Sequence, residues 1–208
     1  MESKPAAEAT GARRPGRPTV DRREEILDAA ERLYDSIGFE KTTIGDVARE
    51  LGMSPANLYR SFPNRRAIDE AVARRQLSAI EDAAWAVARS SGDSAEVLKQ
   101  FSLVVLRETQ RILLPEQRMR PLCAVAGRER WPVVEAYLDS LRGALRHVIM
   151  EGQRSGAFRK ADPELLADTI TAALTRVWHP YMIEVFIRDD LEAMSDRICD
   201  LLVEGLRN

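Results

Sequence analysis

Asn57, Tyr59 and Arg60 stand close together in the stretch LGMSPANLYRSF, residues 51–62. An amide can pair with adenine, and a guanidinium can reach guanine or a phosphate, so these residue types suit contact with base edges. Two short helices meeting at an angle would present them. Leu51-Gly52 ends one helix, because glycine takes the left-handed backbone that other residues resist. Met53 tucks into the corner. Ser54 is suited to cap the next helix and Pro55 to occupy its first turn. Leu58 and Phe62, four apart, face inward, while Ala56, Asn57, Tyr59, Arg60 and Ser61 face outward or flank that face. This is the pattern of a helix–turn–helix. The second helix of such a unit enters the major groove with its N-terminal residues, and the small Ser54 and Ala56 permit close approach. A plain corner in an all-α protein would show the same two short helices.

The flanking residues favour the first reading. Upstream, RRPGRP places Arg13, Arg14 and Arg17 among Pro15, Gly16 and Pro18. Such an extended cationic arm suits a narrow minor groove or, more blandly, forms a solvated tail. Downstream, Arg65 and Arg66 fall at a helix N-terminus, where side chains and backbone N–H groups can share a phosphate. Thr42 and Thr43 open the helix before the turn and are placed to do the same. Thr43 with Asp46 forms a capping-box pattern, as does Asp21 with Glu24. The net charge of -2 does not oppose this, because Glu24, Glu25, Asp28, Glu31 and Asp35 belong to a different helix, which need not face DNA.

Residues 22–68 resemble the DNA-binding domain of the tetracycline-repressor (TetR) family. The resemblance lies in the Ile-Leu-x-Ala-Ala helix, Gly-Phe, Thr-Thr, Ile-x-Asp-Val-Ala, Leu-Gly-Met-Ser, Leu-Tyr-x-x-Phe and the basic residue that opens the fourth helix. It implies a homodimeric repressor released from DNA by a small molecule. It also implies phosphate contacts at Thr43 and Arg65, and makes Tyr59 the aromatic of the recognition helix. Gly45 and Ser61 depart from the pattern: family members often carry a larger polar residue at the first and an aromatic at the second. Base reading is therefore expected to rest on Ser54, Pro55, Ala56, Asn57, Tyr59 and Arg60 and on the arm.

The rest of the 208-residue chain also carries helical periods and no strand-like alternation. We expect a disordered basic arm over 1–20, the DNA-binding domain over 21–68, and a helical ligand-binding and dimerisation domain over 69–208. A long helix runs from about Arg65 to Arg89. Others start near Val97, cover about 117–130, and begin at Pro132. The last two span about 163–184 and 189–206. Ala172, Ala173, Leu174, Val177, Ile198 and Leu202 on that pair suit packing against a two-fold mate, or equally an intramolecular hairpin. No apolar run approaches the ~20 residues of a membrane helix, and no secretory signal opens the chain. Cys123 and Cys199 read as packed thiols in the cytoplasm.

Function in the C-terminal part is expected at an apolar pocket between helices, lined by Phe101, Trp131, Tyr137 and Trp178, with His147 or His179 as the polar contact. Plain core is the rival reading of each of these residues. The two histidines lack metal-ligand spacing, and no nucleophile–base pair or paired carboxylates occur, so neither a cofactor nor an enzyme is expected. The sequence therefore points to an all-α regulator. Its expected partners are double-stranded DNA, a small-molecule effector of unknown identity and a second copy of the chain. The alternative is a helical small-molecule-binding or interaction protein without DNA binding.

Overall fold

A computed structural model describes residues 22–113 and 120–207. The arm residues Arg13, Arg14 and Arg17, and Asp21, lie outside them. The described residues form ten α-helices: α1 Arg22–Ile37, α2 Ile44–Glu50, α3 Pro55–Ser61, α4 Arg65–Ala88, α5 Ser94–Leu113, α6 Arg120–Arg128, α7 Pro132–Ser155, α8 Pro163–Trp178, α9 Pro180–Val185 and α10 Leu191–Leu206.

Local chemistry accounts for most of these boundaries. The expected capping box at α2 forms: Thr43 Oγ1 accepts from the Asp46 N–H at 3.2 Å, and the Asp46 carboxylate accepts from the Thr43 N–H at 2.9 Å. Gly52 closes the turn with φ 61°, a conformation that a Cβ would strain. Ser54 and Pro55 start α3 as expected. Asn64 caps α4 by accepting from the Ala67 N–H at 2.8 Å. Asp190 caps α10, and Asp189 accepts from Arg176 at 2.8 Å.

One expected helix is two. The segment expected to run over 163–184 breaks at His179-Pro180. Proline lacks the N–H needed to continue a helix, and it pushes the preceding residue into extended backbone. His179 adopts φ -79° and ψ 124°, and its Nδ1 accepts from the Tyr181 N–H at 3.2 Å to start α9.

The apolar side chains collect into two cores. The first joins α1–α3 to the first half of α4, around Ile26, Tyr34, Leu58, Phe62, Ile68 and Val72. The second joins the far half of α4 to α5, α7, α8 and α10, around Leu98, Phe101, Leu145, Ile149 and Leu174. Leu77 packs against both. The expected boundary at 68/69 is not a break in packing. The first core continues along α4 to Ala73 and takes in Leu122, Ala126, Trp131 and Val133 from α6 and the start of α7.

Candidate nucleic-acid interface and ligand pocket

α3 is too short to be stable alone and is held from both sides. Leu58 and Phe62 are fully buried. At its C-terminal end the Arg23 guanidinium donates to the Ser61 carbonyl at 2.5 Å and lies 4.2 Å from the centre of the Phe62 ring. At its N-terminal end the Met53 N–H donates to the Ala48 carbonyl at 2.9 Å, which fixes the turn against α2. Ser54, Pro55, Ala56, Tyr59 and Arg60 are left exposed, with Asn57 half-buried. One short helix thus carries an amide, a phenol and a guanidinium on its outer side, beside small residues that allow close approach.

The acidic face of α1 does not oppose this surface. Arg75 of α4 gathers it: its Nη1 lies 3.0 Å from Glu24 and 2.7 Å from Asp28, and its Nη2 2.5 Å from Glu31. The Asp46 carboxyl is likewise engaged. Its hydrogen bonds from Thr43, then that from Arg49, hold it below the usual carboxylate range.

Two expected contact residues make bonds within the protein, and of the two only Thr42 is buried. Thr42 is 1% exposed and its hydroxyl donates to the Gly38 carbonyl at 2.9 Å, so its side chain faces the protein. The Arg65 guanidinium donates to the carbonyls of Thr42 and Phe39. Thr43, next along the chain, stays exposed. Arg66 points the other way, toward α6 and α7. It pairs with Glu70 and with Glu129, each at 2.7 Å, and stacks 3.9 Å from the Trp131 ring.

A cavity of about 420 Å³ opens between α4, α6, α7, α8 and α9. Its walls are mostly apolar, with Leu77, Val134, Leu138, Leu141 and Trp178 prominent, and Gln76, Thr171 and Thr175 among the polar residues. Of the residues expected there, Tyr137, Trp178 and His179 line it, whereas Phe101, Trp131 and His147 do not. Phe101 is fully buried behind Trp178, with ring centres 5.7 Å apart. Trp131 lies in the first core, where its indole N–H donates to Glu129 at 2.9 Å. His147 sits beside Trp85, 6.2 Å between ring centres. The residues missed include leucines such as Leu77, Leu138 and Leu141, small residues of α6, and Thr171 and Thr175. Thr171 and Thr175, hydroxyls four apart on α8, share one face of that helix. Cys123 also lines the cavity, and burial pushes its thiol up to about 11, which leaves it protonated near neutral pH.

The family comparisons match both parts of this architecture. Residues 26–72 match the family described as bacterial regulatory proteins, tetR family, and residues 94–199 match the family described as tetracyclin repressor-like, C-terminal domain. The chain belongs to the TetR family of transcriptional regulators. Its members are non-enzymatic DNA-binding proteins. The chain is 24% identical over 152 residues to the HTH-type transcriptional regulator YhgD of Bacillus subtilis, an alignment covering 72% of this chain and 78% of that one. Its fold resembles that of the fatty acid degradation regulator FadR from Bacillus halodurans, with a TM-score of 0.64 at 18% identity over 92% of this chain and 100% of that one. A transcriptional regulator from Saccharomonospora viridis solved in complex with choline gives a TM-score of 0.64 at 21% identity, over 90% of this chain and 98% of that one. As a TetR regulator, the chain carries its helix–turn–helix in α2 and α3. No helix among the described residues is long and apolar enough to cross a membrane.

Proposed function

We propose that this TetR regulator is a ligand-responsive repressor that binds a palindromic operator as a homodimer. The observation that carries the switch is the position of α6. Leu122 and Ala126 are buried in the first core, and in the same turns Cys123 and Gly127 line the cavity. A molecule filling the cavity therefore presses on a helix that packs into the DNA-reading unit. Arg66, in the first turn of α4, is bonded to Glu129 just past the end of α6. A shift of α6 would pass to the helix that follows the recognition helix. The choline bound by the Saccharomonospora regulator supports a small-molecule effector in principle.

The homodimer would form through α8 and α10. Leu165 and Leu201 are 65% and 71% exposed, and Ala172 and Ala173 of α8 are exposed as well. Leu174 and Val177 are fully buried within the protomer, so they hold the hairpin together and do not face a mate.

The test is a thermal-shift screen for ligands, followed by DNA titration with and without each hit. Linkage requires that the ligand weaken DNA binding by the factor by which DNA weakens ligand binding, a coupling of about 1–3 kcal/mol. A ligand that fills the cavity tightly and leaves DNA affinity unchanged would contradict the switch.

A further inference from the structure

The polar groups of the cavity are unevenly shared among its helices. α6 contributes Leu122, Cys123, Ala124, Ala126 and Gly127, with no charged or amide side chain. The charged groups and most other polar ones come from α7, α8 and α9, with Glu135, Thr171, Thr175 and Glu184 among them. Both threonine hydroxyl protons are already engaged. Thr171 Oγ1 donates to the Ala167 carbonyl at 2.8 Å, and Thr175 Oγ1 to the Thr171 carbonyl at 3.1 Å. Each hydroxyl is left with lone pairs only, so toward a ligand it accepts and does not donate. Glu135 takes one bond from Arg130 at 2.9 Å, and an ionised carboxylate has lone pairs for several. The Trp178 indole N–H is occupied by Ser102. His179 Nδ1 accepts from the Tyr181 N–H, a bond that only the neutral ring makes. Among the described residues, no lysine or arginine lines the cavity.

We infer that the cavity takes a molecule with an apolar body and a protonated amine at one end, and that it disfavours the same body ending in a carboxylate. A ligand carboxylate would meet two like-charged carboxylates and two hydroxyls with no proton to give. An ammonium brings three donors and a positive charge to the same acceptors. It also suits Tyr137, Trp178 and Tyr181, because the face of an aromatic ring attracts a cation. Full burial of that charge would be costly. Thr175, His179 and Tyr181 are exposed, and Thr171 and Glu184 are half-buried, so the acceptors of α8 and α9 lie where water still reaches. The amine belongs there, and the apolar body then lies against α6, the helix whose Leu122 and Ala126 pack into the first core.

This inference rests on the reading that the cavity is the effector site, and it names the class of effector. The experiment is calorimetry of the full chain at neutral pH with phenylbutylamine, phenylbutanol and phenylbutanoate, three probes that share one apolar body. The amine should bind on the order of tenfold tighter than the carboxylate, the equivalent of one charge-assisted hydrogen bond, with the alcohol between them. Equal or tighter binding of the carboxylate overturns the inference, and so does failure of all three to bind at millimolar concentration. Two variants locate the amine. Glu184→Gln should weaken the amine on the order of tenfold and leave the alcohol near its wild-type affinity. Thr171→Val, which removes one acceptor, should weaken the amine less and in the same direction. A preference for the amine that survives both substitutions puts it elsewhere and overturns the inference. Titration of a selected duplex with and without the amine separates the two readings. A tenfold preference that responds to the variants, with DNA affinity unchanged, supports the ligand class and overturns the effector reading alone.

Discussion

The two cores are held together by different physics. The first is built from short helices and stitched by arginines that cross between elements: Arg23 to the Ser61 carbonyl, Arg65 to the 39–42 turn, Arg75 to three acids of α1. Helices this short are marginal in water, so they borrow stability from caps and cross-element bonds. The second is built from long helices and held mostly by apolar area. Among its interior polar groups, the Ser102 and Ser195 hydroxyls lie 2.7 Å apart, and the Trp178 indole N–H donates to Ser102 at 3.2 Å. A scaffold of that kind can leave space for a ligand without losing a turn or a cap. The reading unit, in contrast, depends on many directional bonds being made together. α6 joins the two, because it belongs to the first core through Leu122 and Ala126 and also lines the cavity.

The largest effects should come from cutting each core. Phe62→Ala and Phe101→Ala should each cost about 3–5 kcal/mol in urea unfolding. Phe62→Ala should abolish DNA binding first, whereas Phe101→Ala should loosen the support behind Trp178 and so the cavity. Equal damage to both activities in both variants would mean that the cores are one cooperative unit. Trp131→Ala, with a transfer-and-cavity cost in the same range of about 3–5 kcal/mol, should weaken DNA binding and leave ligand affinity largely intact. Calorimetry with any ligand found by thermal shift, alongside DNA titration, checks this split. A large loss of ligand affinity would place the tryptophan in the pocket after all.

A change confined to the second region comes next. A Cβ at Gly152 would run into the Phe158 ring, which is itself 2% exposed. Gly152→Ala should therefore destabilise by about 1–3 kcal/mol through overpacking. Its DNA affinity, measured below the melting range, should stay near wild type.

The contrast between the cores also explains what could be read from the sequence. α2, α3 and the start of α4 were legible because each is set by neighbours a few residues away: Thr43 with Asp46, Gly52, and Ser54 with Pro55. The break at His179-Pro180 was legible in principle, since Pro180 cannot continue a helix, but the apolar run across it suggested continuity. The cavity was not legible in the same way. Aromatic residues were expected to line it, yet whether a large side chain faces a space or fills one depends on helices far away in sequence. Phe101 and Trp131 fill, while small side chains of α6 and the threonines of α8 form walls. Arg65 and Thr42 fall between these cases. Their positions in the sequence fit a phosphate site, and only the fold shows the carbonyls that both bond and the burial of Thr42.

Smaller effects test the directional bonds of the reading unit. Ser54→Ala removes a cap whose bond to the Asn57 N–H is 3.4 Å long. The expected loss is at the low end of cap energies, about 0.5–1 kcal/mol, with a parallel loss of DNA affinity. The smallest is the pH response of the capping box. The Asp46 carboxyl is lowered in the folded state, so its contribution is present above the ordinary aspartate value near about 4 and is lost as pH falls through the lower folded value. Melting curves of wild type and Asp46→Asn should therefore differ at neutral pH and converge on acidification. A constant gap would mean that the carboxylate charge plays no part in the cap.

The most direct test of the account is to select genomic fragments with the purified full-length protein and footprint the bound duplex. Dimeric reading through α3 predicts two half-sites related by a dyad, with centres about 34–36 Å apart or a multiple of that. A single non-palindromic footprint, or no selected fragment at all, would contradict it.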